Sequence, residues 1–133
     1  MGRTRTPTPA AIVLDAGALI ALDCGDKRMI ALLQRALTQR RAFRVPAGVL
    51  GQAWRDGRRQ VTLARFLRSE EVEIVPLDEH LARSCGELCA AANVADVIDA
   101  SVVIVARERR APIVTSDPND LRRLDPRAQM IPI

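Results

Sequence analysis

What most constrains this chain is an alternation in its apolar pattern. Four short runs, Ala11-Ile12-Val13-Leu14, Phe43-Arg44-Val45-Pro46, Val72-Glu73-Ile74-Val75 and Pro112-Ile113-Val114-Thr115, are rich in β-branched or aromatic residues and read as strands. Between them lie stretches with helical spacing, which predict helices over residues 16–22, 26–39, 47–56, 59–67, 78–92 and 118–124. Ile30, Leu33 and Leu37 carry that spacing in the second, and Leu81, Cys85 and Leu88 share one side of the fifth. Met130-Ile131-Pro132-Ile133 reads as a last edge strand. Residues 97–106 are apolar nearly all round. Propensity alone permits a strand there; the length, the acidic start and the cations Arg107, Arg109 and Arg110 at the end favour a buried helix. Strands alternating with helices imply an α/β sandwich on a mainly parallel sheet. Residues 11–133 form it as one domain, behind a short flexible leader at residues 1–10.

The 133 residues are 48% hydrophobic, enough for one packed core. No apolar run reaches the roughly 18 residues that span a bilayer. The segment before the first strand has no long apolar stretch, so neither a membrane anchor nor a secretory signal is expected. Cys24, Cys85 and Cys89 make an odd count without a CxxC pair. They read as small buried side chains in a reducing cytoplasm. A zinc site shared with His80 would need a fourth ligand that the sequence does not offer. The net charge is +4, and of the 20 basic residues only Lys27 is not arginine. Arginine grips phosphate bidentately, which suits a nucleic-acid surface; a GC-rich genome gives the same bias. Phe43, Trp54 and Phe66 are the only aromatic residues, too few for a base-stacking platform.

In parallel α/β sheets the site lies where the strands end, and there the sequence places aspartates. Asp15 follows the first strand directly, and Asp117 closes Thr115-Ser116-Asp117 after the fourth. Asp96 and Asp99 stand three apart, on one face of the first turn of the apolar helix. Each has a structural reading as a helix cap: Asp15 for residues 16–22, Asp96 with Asp99 at the third helical position, and Asp117 with Pro118 next and Asp120 in the acidic first turn. Asp99 strains that explanation, because it interrupts an apolar run with no base beside it. Burying such a carboxylate is costly unless it meets a cation. Converging carboxylates suit Mg²⁺ or Mn²⁺, which take oxygen ligands and keep waters. That chemistry hydrolyses phosphodiesters without a catalytic histidine. His80, in a helix away from the strand ends, reads as a surface residue. No P-loop, dinucleotide-binding or nucleophile-elbow motif is present.

Taken in order, these residues resemble a known family. Ile12-Val13-Leu14-Asp15-Ala16-Gly17-Ala18-Leu19-Ile20-Ala21-Leu22 is similar to the opening of PIN domains, a strand ending in Asp and then a small-residue helix. Asp99-Ala100-Ser101-Val102-Val103-Ile104-Val105-Ala106 resembles their Asp-led central helix, and Val114-Thr115-Ser116-Asp117 their Thr-x-Asp strand end. The length resembles VapC toxins in particular. The resemblance implies a three-layer α/β/α sandwich with a five-stranded, mainly parallel sheet. It implies Mg²⁺-dependent endoribonuclease activity, homodimerisation and inhibition by a small VapB-like antitoxin. By position, Asp15, Asp99 and Asp117 become catalytic metal-site residues, with Asp96 a fourth.

One position departs from the family. The segment Val45-Pro46-Ala47-Gly48-Val49-Leu50-Gly51-Gln52 carries Gln52 where a glutamate is usual. A glutamine carbonyl still ligates Mg²⁺, but without charge, so Gln52 reads as a weak ligand and Asp56 as a substitute one helical turn on. Thr115 and Ser116 read as groups that orient a carboxylate or a water. Arg55, Arg58 and Arg59 read as an RNA-phosphate cluster or a solvated helix end, Trp54 as core or dimer interface, and Arg122 and Arg123 as solvent-facing. Three functions stay open: the metal-dependent nuclease; a PIN-like module that binds RNA or a protein without cutting because the acid at residue 52 is gone; and a structural member of a complex whose basic face only binds partners.

Overall fold

The runs read as strands pair into a single sheet. The computed structural model describes residues 11–133; the leader expected at residues 1–10 lies outside the described residues. The element order is β1 (Ile12–Leu14), α1 (Ala16–Asp23), α2 (Lys27–Thr38), β2 (Phe43–Pro46), α3 (Ala47–Ala53), α4 (Val61–Leu67), β3 (Val72–Val75), α5 (Glu79–Ala92), α6 (Val97–Arg109), β4 (Ile113–Thr115), α7 (Pro118–Leu124) and β5 (Met130–Pro132). The sheet has five strands in the order β3-β2-β1-β4-β5. Every pairing is parallel. β5 is the edge strand expected, and Pro132 sits on it where a missing N–H does least harm.

The neighbouring strands β1 and β4 are covered on both faces, which is why their residues are apolar without alternation, whereas β3 keeps Glu73 exposed. Ile12, Val13, Leu14, Ile113 and Val114 are all buried. α1 to α4 pack on one face and α5 to α7 on the other, giving three α/β/α layers. The strongly apolar segment is the helix α6. Its flank against the sheet buries Val102, Val103 and Val105, and its other flank packs on α5. The Asp96 side chain caps its start, and Arg110, in the left-handed region at φ 50°, ends it. Each large apolar side chain so buried contributes about 1.5–3 kcal/mol.

Several expectations change. The helix expected at 47–56 stops at Ala53, because Trp54 turns extended and Gln60 takes over the next backbone groups. Its side-chain oxygen accepts from the N–H groups of Arg55 and Asp56, and its amide donates to the Ala53 carbonyl. The next helix therefore starts at Val61, not residue 59. Trp54 is not core: it is 37% exposed and lies over Gly57. Cys85 and Cys89 are buried, but Cys24 is exposed at the end of α1. In α2 the inward positions are Met29 and Ala36, and Leu37 is largely open. Arg44 is buried in a central strand, donating to Glu73, Glu108 and the Val105 carbonyl.

Candidate functional site

The chain leaves β1 for β2 in one direction and reaches β4 on the other side, so the switch point lies between β1 and β4. Val13 and Leu14 pair with Ile113 and Val114, so the next residues along, Asp15 and Thr115, leave the sheet side by side. Thr115, fully buried, ties the two ends together. Its hydroxyl donates to the Asp15 carboxylate and accepts from the Asp117 N–H at 2.8 Å. Gly17 lets them approach: a Cβ there would collide with the Ser116 hydroxyl and stand 2.9 Å from the Ser116 Cβ.

α6 delivers the other acids. Its first turn faces the same cavity, of about 230 Å³, lined by Asp15, Gln52, Asp96, Asp99, Ser116, Asp117 and Asp120 among others. Asp15 accepts from the Ala18 N–H at 2.9 Å, and Asp96 from the Asp99 N–H at 2.9 Å. Both are caps and cavity residues at once, since a carboxylate has a second oxygen to spare. Asp117 is not a side-chain cap: it makes no such bond to α7, because the Thr115 hydroxyl holds its own N–H and the backbone turns at φ −136° and ψ 66°. Its carboxyl instead meets Asp120.

Burial, and then the charges of Asp96, Asp120, Asp15 and Asp117, push Asp99 from 3.8 to about 6. Burial also raises Asp15, against the bonds from Thr115 and Ala18 and with the help of Asp117. Asp120 is raised by its hydrogen bond with Asp117 and then by that residue's charge. These shifts describe gathered negative charge that Arg123, acting on Asp120, offsets only in part. Among the described residues no three Asp, Glu, His or Cys side chains stand close enough to chelate a metal ion by themselves. The donor set is nonetheless oxygen only and open to solvent. That fits a hard cation that retains part of its water shell, as Mg²⁺ does.

The structure brings together Asp15, Asp96, Asp99, Asp117, Gln52 and Ser116, with Thr115 behind them. It leaves out Asp56, whose carboxylate turns back to the Arg58 N–H and lies 3.8 Å from Arg59. Arg55, Arg58 and Arg59 are exposed on the loop after α3 and do not line the cavity. Arg55 spends one nitrogen on the Gly51 and Trp54 carbonyls. No zinc cluster forms around the exposed His80 among the described residues. The site gains two residues that sequence reasoning read as structural or solvated. Asp120 follows Asp117 by three, the same spacing that exposed Asp96 and Asp99. Arg123 stands with Asp96, Asp99 and Asp120 along a wider groove of about 640 Å³.

A parallel α/β sandwich with carboxylates gathered at the switch point defines the fold class and the acidic character of its site. The family model for PIN domains matches residues 12–126. The chain belongs to the PIN domain family. Comparison with curated proteins gives no match. Among solved structures it is similar to VapBC2 of Rickettsia felis bound to a promoter DNA fragment, with a TM-score of 0.70 and 16% identity over 92% of this chain and 98% of that one. It is similar to the sarcin–ricin loop-cleaving toxin VapC20 of Mycobacterium tuberculosis, at 0.59 and 21% over 77% and 87%. It is also similar to FitAcB of Neisseria gonorrhoeae, at 0.64 and 16% over 90% and 96%. At these identities the likeness is one of fold.

Proposed function

We propose that the acidic cavity is the centre of a metal-dependent endoribonuclease, and that the chain is the toxin of a VapBC-like toxin–antitoxin pair. The observation that carries this reading is Asp99, a half-buried carboxyl raised to about 6 with four further carboxylates around it. A site like this is satisfied by a divalent cation. PIN domains are in general nucleases, and one neighbour in fold is an RNA-cleaving toxin. Others are complexes of VapBC and FitAB type, which supports a small antitoxin as partner.

Asp15, Asp99 and Asp117 would hold the cation, Mg²⁺ or Mn²⁺, with Asp96 and Asp120 adding charge at the rim. When bound, the cation supplies Lewis acidity to the phosphate and makes hydroxide available near neutral pH. Thr115 fixes Asp15 against Asp117, and Ser116 and Gln52 give neutral polar edges. Arg123 borders the groove an RNA strand would take, and Arg58 and Arg59 are exposed on the loop that follows α3, the helix carrying Gln52. The reading includes a homodimer acting in the cytoplasm.

Gln52 favours a second reading, a module that holds RNA or a protein without cutting, because the neutral amide lines the cavity at the family's acidic position. Incubating the purified chain with total RNA in Mg²⁺, Mn²⁺ or EDTA, beside Asp99→Asn, separates the two. Cutting in either metal that EDTA and the substitution abolish is the expected result. RNA binding without cutting in any metal would move the assignment to the second reading.

A further inference from the structure

The opposite edge of the sheet carries a second cavity, of about 250 Å³, where α6 ends and the chain enters β4 and β5. Its walls include Arg107, Arg110 and Arg127, with Asp125 as the carboxylate among them. Three guanidinium groups against one carboxylate leave two positive charges in excess.

The arrangement is built rather than incidental. Asp125 is buried and both its oxygens are engaged: one accepts from Arg107 Nε at 3.0 Å, the other from the Arg127 N–H at 2.9 Å. Holding an arginine by Nε leaves its terminal nitrogens free and fixes their direction. Arg107 is therefore an oriented fork, the geometry that matches a phosphate. Among the described residues the side chains of Arg110 and Arg127 have no ion-pair or hydrogen-bond partner. Two of the four carbonyls at the end of α6, which would repel an anion, are occupied: Ala106 accepts from the Ala111 N–H and Arg107 from the Arg110 N–H. Ala106 and Ala111 add a small apolar floor.

We propose that this cavity is a phosphate-binding site, taking the phosphate of a nucleotide, either free or as one unit of an RNA chain. The apolar floor leaves room for the sugar behind the phosphate. The site lies across the sheet from the acidic cavity and does not depend on whether that cavity cuts RNA.

The test is an amide NMR titration of the full chain in EDTA with three probes: inorganic phosphate, adenosine monophosphate, and a short oligoribonucleotide, which the acidic cavity cannot cut without its metal. The comparison is Arg110→Ala/Arg127→Ala, which alters two exposed side chains and leaves the Arg107–Asp125 pair intact. The amides of Ala111 and Ala128 shift with at least one probe, and the variant, with an otherwise unchanged spectrum, loses at least about tenfold in affinity, the scale of a lost charge-assisted hydrogen bond. Saturation by phosphate or the mononucleotide identifies a free ligand. Binding of the oligonucleotide alone identifies the RNA backbone, and its salt slope then falls by roughly 0.7 in the variant, one phosphate's worth on a single strand. If no probe moves these amides, or the variant binds as the wild type does, the proposal is wrong.

Discussion

Asp99 lines the acidic cavity at a cost to the fold. Its carboxyl is raised from 3.8 to about 6, so the folded chain binds this proton more tightly than the unfolded chain. The contribution is favourable while the group is protonated and is lost as pH rises from about 4 through about 6. In EDTA, the melting temperature of the wild type should therefore fall across that window more than that of Asp99→Asn, and the variant should melt higher at pH 7. Parallel melting curves for the two proteins would contradict this. Gln52 makes the complementary case: Gln52→Glu restores a negative charge to the cavity and should tighten Mn²⁺ binding by about tenfold, read by calorimetry, as an added charged ligand does. Unchanged affinity would remove residue 52 from the site. Gly17 is required by the close passage of Ser116. Gly17→Ala should cost about 1–3 kcal/mol from overpacking, and in a Ser116→Gly background the cost should vanish. At this scale the sequence spoke clearly for Asp15, Asp99 and Asp117, which sit at strand ends or interrupt an apolar run. Asp120 and Arg123 did not stand out, because an acid in the first turn and a base in the last are what any helix such as α7 prefers.

Among the elements, the strands and long helices were readable because burial imposes a period on their sequences. α6 was ambiguous for the same reason: a helix packed on the sheet at one flank and on α5 at the other loses its polar face, and with it the helical period. The end of α3 was misread because what stops it is a side chain from downstream. Gln60 bonds Arg55, Asp56 and Ala53, and also reaches Asp23 at 3.3 Å. No local signal in residues 47–56 announces that. Arg44 was likewise hidden, since a strand residue does not reveal that its partners are Glu73 on β3 and Glu108 on α6. Both glutamates are about half exposed, at 56% and 48%, so water can replace the arginine. Arg44→Met should then change stability by less than about 1 kcal/mol in urea unfolding; a loss of several kcal/mol would show that the pair is a main support of the sheet.

For the molecule as a whole, the strand order β3-β2-β1-β4-β5 explains why the acids meet. The pairing of β1 with β4 sets their ends side by side, and the register of Val13 with Ile113 brings Asp15 level with Thr115. α6 then crosses behind the sheet with its first turn at the same edge, while its last turn and Arg107 lie at the other. One helix thus places negative charge at one end of the domain and positive charge at the other, in the sense its own dipole favours. The central claim is that the gathered carboxylates hold a divalent cation, and the most direct measurement is paramagnetic broadening by Mn²⁺ in the NMR spectrum of the full chain. Low Mn²⁺ should broaden the signals of Asp15, Asp99, Asp117 and Asp120 first, with excess Mg²⁺ restoring them. Broadening centred elsewhere, or none at these residues, would contradict the account.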